Sequence, residues 1–198
     1  MPVSNETEAN RNPAPAGVSI LLTGASGFLG RELALPHAAP GVRFHLWGRD
    51  ADRLADTSQV LSSLGANVHV TSLDLTKTDE AVQKLMEQDQ SERFDIAYLV
   101  AGTGETRAPG DRIENHLLVD RSIQTNFTAP AALASALADR LTERGRGRIV
   151  LIGSAAGHHS LPFASAYSGS KAGLARFADA LRLAARPLGV TVTLAAPG

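Results

Sequence analysis

Tyr167 and Lys171 stand four residues apart at the head of an amphipathic run, so in a helix a phenol and an ammonium share one face. A phenol with a pKa near ~10 is a poor acid or base at neutral pH. A nearby cation favours the phenolate, and such a tyrosine can give a proton to a carbonyl oxygen or take one from an alcohol. Ser154 directly follows the apolar run Ile149–Gly153, where the carboxyl end of a buried strand would offer its hydroxyl to a substrate carbonyl. Plainer readings stand beside these. Ser154-Ala-Ala-Gly157 also suits a simple turn, and Tyr-x-x-x-Lys alone is a common solvent-facing pair. Asn126, a mediocre helix former inside a helical run, can hold a water in a proton path or satisfy a neighbouring backbone group.

A second constellation suits phosphate. The first apolar run leads into Thr23-Gly24-Ala25-Ser26-Gly27-Phe28-Leu29-Gly30. One glycine there permits a tight turn, a second lets backbone approach a pyrophosphate, and a third lets the next helix pack closely on the sheet. Free N–H groups at that helix start would face the phosphates. The second run ends in Trp47-Gly48-Arg49-Asp50, with no acidic residue at the position that accepts hydrogen bonds from a ribose 2′-hydroxyl. A guanidinium suits the 2′-phosphate of NADP instead, which puts NADP(H) ahead of NAD(H). Asp50 competes for Arg49 in this reading, and a surface ion pair is the alternative use of that arginine.

Six short Val/Ile/Leu-rich runs position these residues: 18–22, 42–47, 68–73, 96–100, 149–152 and 190–195. Being nearly continuous, they predict strands buried on both faces. Helical patterns fall between them at 28–35, 52–64, 78–88, 119–144 and 166–186. The alternation predicts an α/β fold with helices on both faces of a doubly wound parallel sheet of order 3-2-1-4-5-6. Pro36 and Pro40 should cut the first helix short and place a turn at Pro40-Gly41. Residues 1–17 are polar and proline-containing and predict a flexible leader before a single domain over 18–198.

Composition narrows the field. Hydrophobic residues make up 43% and the formal net charge is −1, so no polyanionic partner such as nucleic acid is indicated. The basic run Arg144-Gly-Arg-Gly-Arg148 reads as a solvated loop. Without cysteine there is no thiolate metal site, disulfide framework or Cys nucleophile. No membrane-length apolar run or signal peptide is visible, so a cytoplasmic location follows by default. His158 and His159 are adjacent and lack an acidic cluster, which favours pocket lining over a metal site; no metal is expected. His37, His45, His69 and His116 are scattered and read as structural or exposed.

Together these residues resemble the short-chain dehydrogenase/reductase family over 18–198. The family's Asn, Ser, Tyr and Lys tetrad falls on Asn126, Ser154, Tyr167 and Lys171. Asp74-Leu75 resembles its adenine-contacting Asp pair, and Pro197-Gly198 its Pro-Gly bordering the nicotinamide. The resemblance implies a Rossmann-like NAD(P)-binding domain that interconverts a ketone and a secondary alcohol by hydride transfer. It makes Tyr167 the acid–base group, with Ser154 orienting the carbonyl. It has Lys171 bind the nicotinamide ribose and lower the tyrosine pKa, while Asn126 holds a relay water. Departures are visible. The spacing of Gly24, Gly27 and Gly30 is similar to the family's extended subgroup, whereas the segment from Ser154 to Pro-Gly is similar to its common reductases. Leu99-Val100-Ala101-Gly102 replaces the usual Asn-Asn-Ala-Gly, removing one asparagine brace. Family members continue beyond the Pro-Gly through a substrate lid and a last strand, which the sequence lacks. The long helices resemble a family dimer contact, with Ala131–Ala134 and Ala172–Ala175 as close-packing faces, so a homodimer is expected. A nucleotide-binding or interaction protein of the same fold that turns nothing over is the alternative.

Overall fold

The computed structural model describes Pro15 and residues 17–197, so the leader expectation (save Pro15 and Gly17) and Gly198 lie outside the described residues. Six strands form one parallel sheet: β1 (Ser19–Thr23), β2 (Arg43–Gly48), β3 (Asn67–Ser72), β4 (Ile96–Leu99), β5 (Gly147–Ile152) and β6 (Val190–Ala195). Their order is β3-β2-β1-β4-β5-β6, as the alternating pattern predicts. Side chains on β1 alternate between two cores, because successive residues of a strand point to opposite faces. Ile20 and Leu22 join Phe44, Leu46, Leu54 and Leu61 on one face; Leu21 joins Leu85, Leu133, Leu137 and Leu174 on the other.

The helices sort with those cores. α1 (Phe28–Ala34) and α2 (Ala51–Ser63) cover the first face. The other face is covered by α3 (Thr78–Glu92), α5 (Ala129–Glu143) and α6 (Ser165–Ala185), with α4 (His116–Ile123) between α3 and α5 in the chain. Pro36 shortens α1 into a 3-10 turn over Leu35–His37, and Gly41 takes the left-handed φ of 85° that its turn requires.

Three sequence expectations change in detail. The helix expected over 119–144 is interrupted by a π-helical turn, Gln124–Thr128, lying between α4 and α5. Only the central strands are buried on both faces. β3 is an edge strand with mostly exposed residues, and β6, at the other edge, alternates buried and exposed over its first four. Finally, Arg144 is not a solvated loop residue: its guanidinium makes two 3.0 Å hydrogen bonds to the fully buried Asp89 carboxylate. That pair ties the end of α5 to α3, and Asp89 also accepts the Phe94 N–H at 2.9 Å.

Candidate active site

The chain turns sharply after β1 because Gly24 adopts a φ of +70°, and it has no room for a side chain there. A methyl on Gly24 would lie 2.7 Å from the Ala101 N, and one on Gly30 would lie 2.5 Å from the Gly24 carbonyl oxygen. Strand end, turn and helix thus approach as closely as backbones can. Gly27 starts α1 with no side chain capping its first turn, which leaves those N–H groups to face the cleft. The absent asparagine brace after β4 has a substitute: the Thr23 hydroxyl accepts from the Val100 and Ala101 N–H groups at 3.1 and 3.3 Å.

A cleft of about 610 Å³ runs along the carboxyl ends of the strands. Gly24, Ser26, Gly27 and Gly30 line one end, with Arg49, Asp74 and Leu75 beside them. Ala101, Gly102 and Pro197 line its middle, and Ser154, Tyr167 and Lys171 the far end. Of the catalytic and cofactor-binding candidates from the sequence, all but Asn126 and the undescribed Gly198 are in its wall.

At the phosphate end Asp50 does not compete for Arg49. Its carboxylate is the N-cap of α2, accepting from the Arg53 N–H at 3.1 Å. Arg49 is exposed at the cleft rim and Arg53, in the first turn of α2, joins it there. Arg53 was legible as an arginine four residues after Arg49, and sequence reasoning passed it by. Asp74 accepts from the Thr76 N–H and hydroxyl through one oxygen, and these bonds hold its carboxyl below the usual carboxylate range against the opposing effect of burial. The Leu75 side chain belongs to the hydrophobic core.

At the chemical end three side chains converge, Ser154 from the end of β5 and Tyr167 and Lys171 from α6. Ser154 leaves β5 extended and caps a 3-10 turn, its oxygen accepting from the Ala156 N–H at 3.1 Å, so its own O–H is free to donate. Tyr167 is in the first turn of α6, and the Lys171 Nζ lies 5.8 Å from its ring centroid. Lys171 is 5% exposed and donates to the Ile152 carbonyl at 2.7 Å. Burial pushes its ammonium down to about 8.

Asn126 sits in the π turn with 0% exposure. Its amide accepts from the Thr103 N–H at 2.7 Å and donates to the Thr103 carbonyl at 2.8 Å, clamping the loop after β4. A methyl at Gly102 would stand 3.1 Å from the Asn126 Oδ1 and 3.7 Å from the Lys171 Nζ, so the three meet at one point. The side-chain amide is therefore committed to the backbone, which is the plainer of its two sequence readings. Pro130, four residues on, has no N–H for the Asn126 carbonyl. His158 and His159 are exposed outside the cleft wall, and no metal-binding cluster of His, Cys, Asp or Glu occurs among the described residues.

Glu114 was missed altogether. It lies just before α4, is 8% exposed, and accepts from the Ser165 hydroxyl and, at 3.0 Å, from the Ala166 N–H. Nothing in the sequence separates it from an ordinary surface glutamate.

A parallel sheet with a glycine turn after its first strand and a cleft along its carboxyl edge defines the dinucleotide-binding class of α/β proteins. Within that class the chain belongs to the short-chain dehydrogenase family, whose model matches residues 19–198. It is 37% identical over 183 residues to an uncharacterized oxidoreductase of Myxococcus xanthus, covering 90% of this chain and 70% of that protein. It is 31% identical over 199 residues to the dehydrogenase/reductase SDR family member 7B of Danio rerio, covering 95% of this chain and 62% of that protein. Among solved structures, a metagenomic short-chain oxidoreductase in complex with NADP superposes with a TM-score of 0.85 at 27% identity, covering 92% of this chain and 83% of that one.

Proposed function

We propose that residues 18–198 form one NAD(P)-binding domain of an NADP(H)-dependent oxidoreductase that interconverts a ketone and a secondary alcohol, with Tyr167 as its acid–base group. The observation that carries this reading is the convergence of Ser154, Tyr167 and Lys171 in the cleft that begins at the Gly24–Gly30 turn. The tight approach of Gly24 to Ala101 and of Gly30 to Gly24 is the backbone cradle a pyrophosphate needs. Arg49 and Arg53 would take the 2′-phosphate, which favours NADP(H) without excluding NAD(H), in line with the NADP-bound structural relative. Asp74 and Leu75 would border the adenine, while Ala101, Gly102, Pro197 and Gly198 would border the nicotinamide side.

The bound cofactor supplies or accepts the hydride. Tyr167 gives its phenolic proton to the carbonyl oxygen during reduction and takes it back during oxidation. Ser154 donates its O–H to the same oxygen, because its acceptor side already serves Ala156. Lys171, held by the Ile152 carbonyl, places its ammonium beside the tyrosine ring, and it would bind the ribose of the nicotinamide cofactor. With its amide occupied, Asn126 would hold a relay water through its main-chain carbonyl, which lacks the usual i+4 donor.

The substrate in this reading is a small-molecule carbonyl or alcohol, and the working form is a cytoplasmic homodimer without nucleic-acid or membrane partners. Among the described residues no helix is long and apolar enough to cross a membrane. The test is loss of NADPH absorbance over a panel of ketones for the wild type and Tyr167→Phe. The variant is expected to lose at least about 10²-fold in turnover while binding NADPH as tightly as the wild type. Unchanged turnover would remove Tyr167 from the chemistry. NADPH binding with no turnover of any panel member by the wild type would favour the non-catalytic alternative.

A further inference from the structure

We infer that Glu114 is a positioning residue for Tyr167, fixing through its carboxylate the first turn of the helix that carries the phenol. The inference rests on the catalytic reading above. α6 begins without a cap of its own, since Ala164 precedes it and has no polar side chain. The missing cap comes from a residue 51 positions earlier in the chain: one Glu114 oxygen accepts from both the Ser165 hydroxyl and the Ala166 N–H. Ala166 is the immediate neighbour of Tyr167. A carboxylate at a helix start also meets the positive end of its dipole. Burial alone would raise the Glu114 carboxyl, but the bonds from Ser165 and Ala166 overcome it and hold the group below its ordinary value.

The second oxygen of Glu114 is buried without a hydrogen-bond partner, so the carboxylate is kept in place at a cost. An ordinary helix cap at the surface would not need that arrangement. The next residue makes the placement sharper. Asn115 caps α4, accepting from the Leu118 N–H at 2.9 Å, and the same helical run leads on to Asn126. Two adjacent residues therefore set the starts of the two helical runs that carry Tyr167 and Asn126. The segments are joined a second time where the Arg107 N–H donates to the Phe163 carbonyl at 2.9 Å and its guanidinium covers the Phe163 ring at 4.4 Å. Phe163 holds a left-handed φ of 68°, four residues before Tyr167, a conformation that persists only under such restraint. Geometry errors near 1 Å at a reacting group can cost about 10²-fold in rate. A cap that fixes the tyrosine's own turn is placed to prevent such errors.

The experiment uses the full chain, comparing wild type, Glu114→Ala and Glu114→Gln for kcat on a ketone the wild type reduces, for KM, and for NADPH affinity by fluorescence titration. Alanine removes both hydrogen bonds, whereas glutamine keeps an acceptor for them. The expected result is a kcat lowered about 10- to 100-fold in Glu114→Ala, regained to within about threefold in Glu114→Gln, with NADPH affinity unchanged in both. An unchanged kcat in folded Glu114→Ala overturns the inference. So does a parallel loss of NADPH affinity, which would mean collapse of the whole cleft. Equal losses in both variants would assign the effect to charge and also overturn positioning by hydrogen bonds. Absence of turnover in the wild type, by contrast, sinks the catalytic reading on which the inference stands.

Discussion

Lys171 places a cation where water hardly reaches, and that has a measurable consequence apart from catalysis. Its ordinary pKa is 10.5, and burial pushes it down to about 8 in the folded chain. Below pH 8 both folded and unfolded states carry the proton, so this residue adds no pH dependence there. Between pH 8 and 10.5 the unfolded chain holds more protons, and stability must rise with pH as the folded lysine sheds its unfavourable charge. The full increment is about 3 kcal/mol, at 1.36 kcal/mol per pKa unit. Urea unfolding of the cofactor-free chain is therefore expected to show a stability gain across that window, one that Lys171→Met lacks. Matching pH profiles for the two proteins would mean that the Ile152 carbonyl, 2.7 Å away, fully compensates the buried charge.

Among the elements, the α3–α5 junction separates two arginines of the same basic run. Arg144 pairs with the fully buried Asp89, whereas the Arg146 side chain is 81% exposed and lies 3.7 Å from Asp95. Removing one partner of a buried pair costs up to about 3–5 kcal/mol, less where a second cation such as Arg140, 3.4 Å from Asp89, remains, while an exposed pair contributes about 0–1 kcal/mol. Arg144→Ala should accordingly lower the urea midpoint strongly and Arg146→Ala hardly at all; equal effects would show that Asp89 does not depend on Arg144. The sequence carried the strand–helix rhythm, the sheet order and the proline break after α1, because periodicity and covalent geometry are local. It could not carry Asp89–Arg144, whose partners are 55 residues apart, and the run of arginines read as solvent. Nor could it carry the π turn at Asn126, which joins α4 to α5, or the commitment of that amide to Thr103. Glu114 belongs to the same kind: its role exists only once the loop before α4 meets the start of α6. The edge exposure of β3 likewise follows from sheet order, not from its own Val-containing pattern.

For the whole molecule, the cleft joins two halves that the fold builds separately: the glycine turn and arginines around β1 and β2, and the Ser154, Tyr167 and Lys171 set around β5 and α6. A ligand spanning both should stabilise the chain as a unit, since anything that binds only the folded state raises stability by mass action. At a ligand concentration of about 100 times Kd the gain is about 2.7 kcal/mol, roughly 5–10 °C in Tm for a chain of this size. NADPH should produce that rise in a thermal melt, and NADH at the same concentration a smaller one. Arg49 is exposed at the rim and Asp50 is occupied as the α2 cap, so the difference between the nucleotides should reside in the guanidinium and not in the neighbouring acid. Charge-assisted hydrogen bonds contribute about 1.5–3 kcal/mol, or roughly a 10- to 100-fold preference. Arg49→Ala should then reduce the NADPH shift toward the NADH value and leave the NADH shift itself intact. If instead both shifts fell together, Arg49 would be holding the loop between β2 and α2 in place, where its carbonyl already accepts from the Ser72 hydroxyl. If neither moved, Arg53 would be the residue that reads the 2′-phosphate, and Arg53→Ala would show the loss that Arg49→Ala did not.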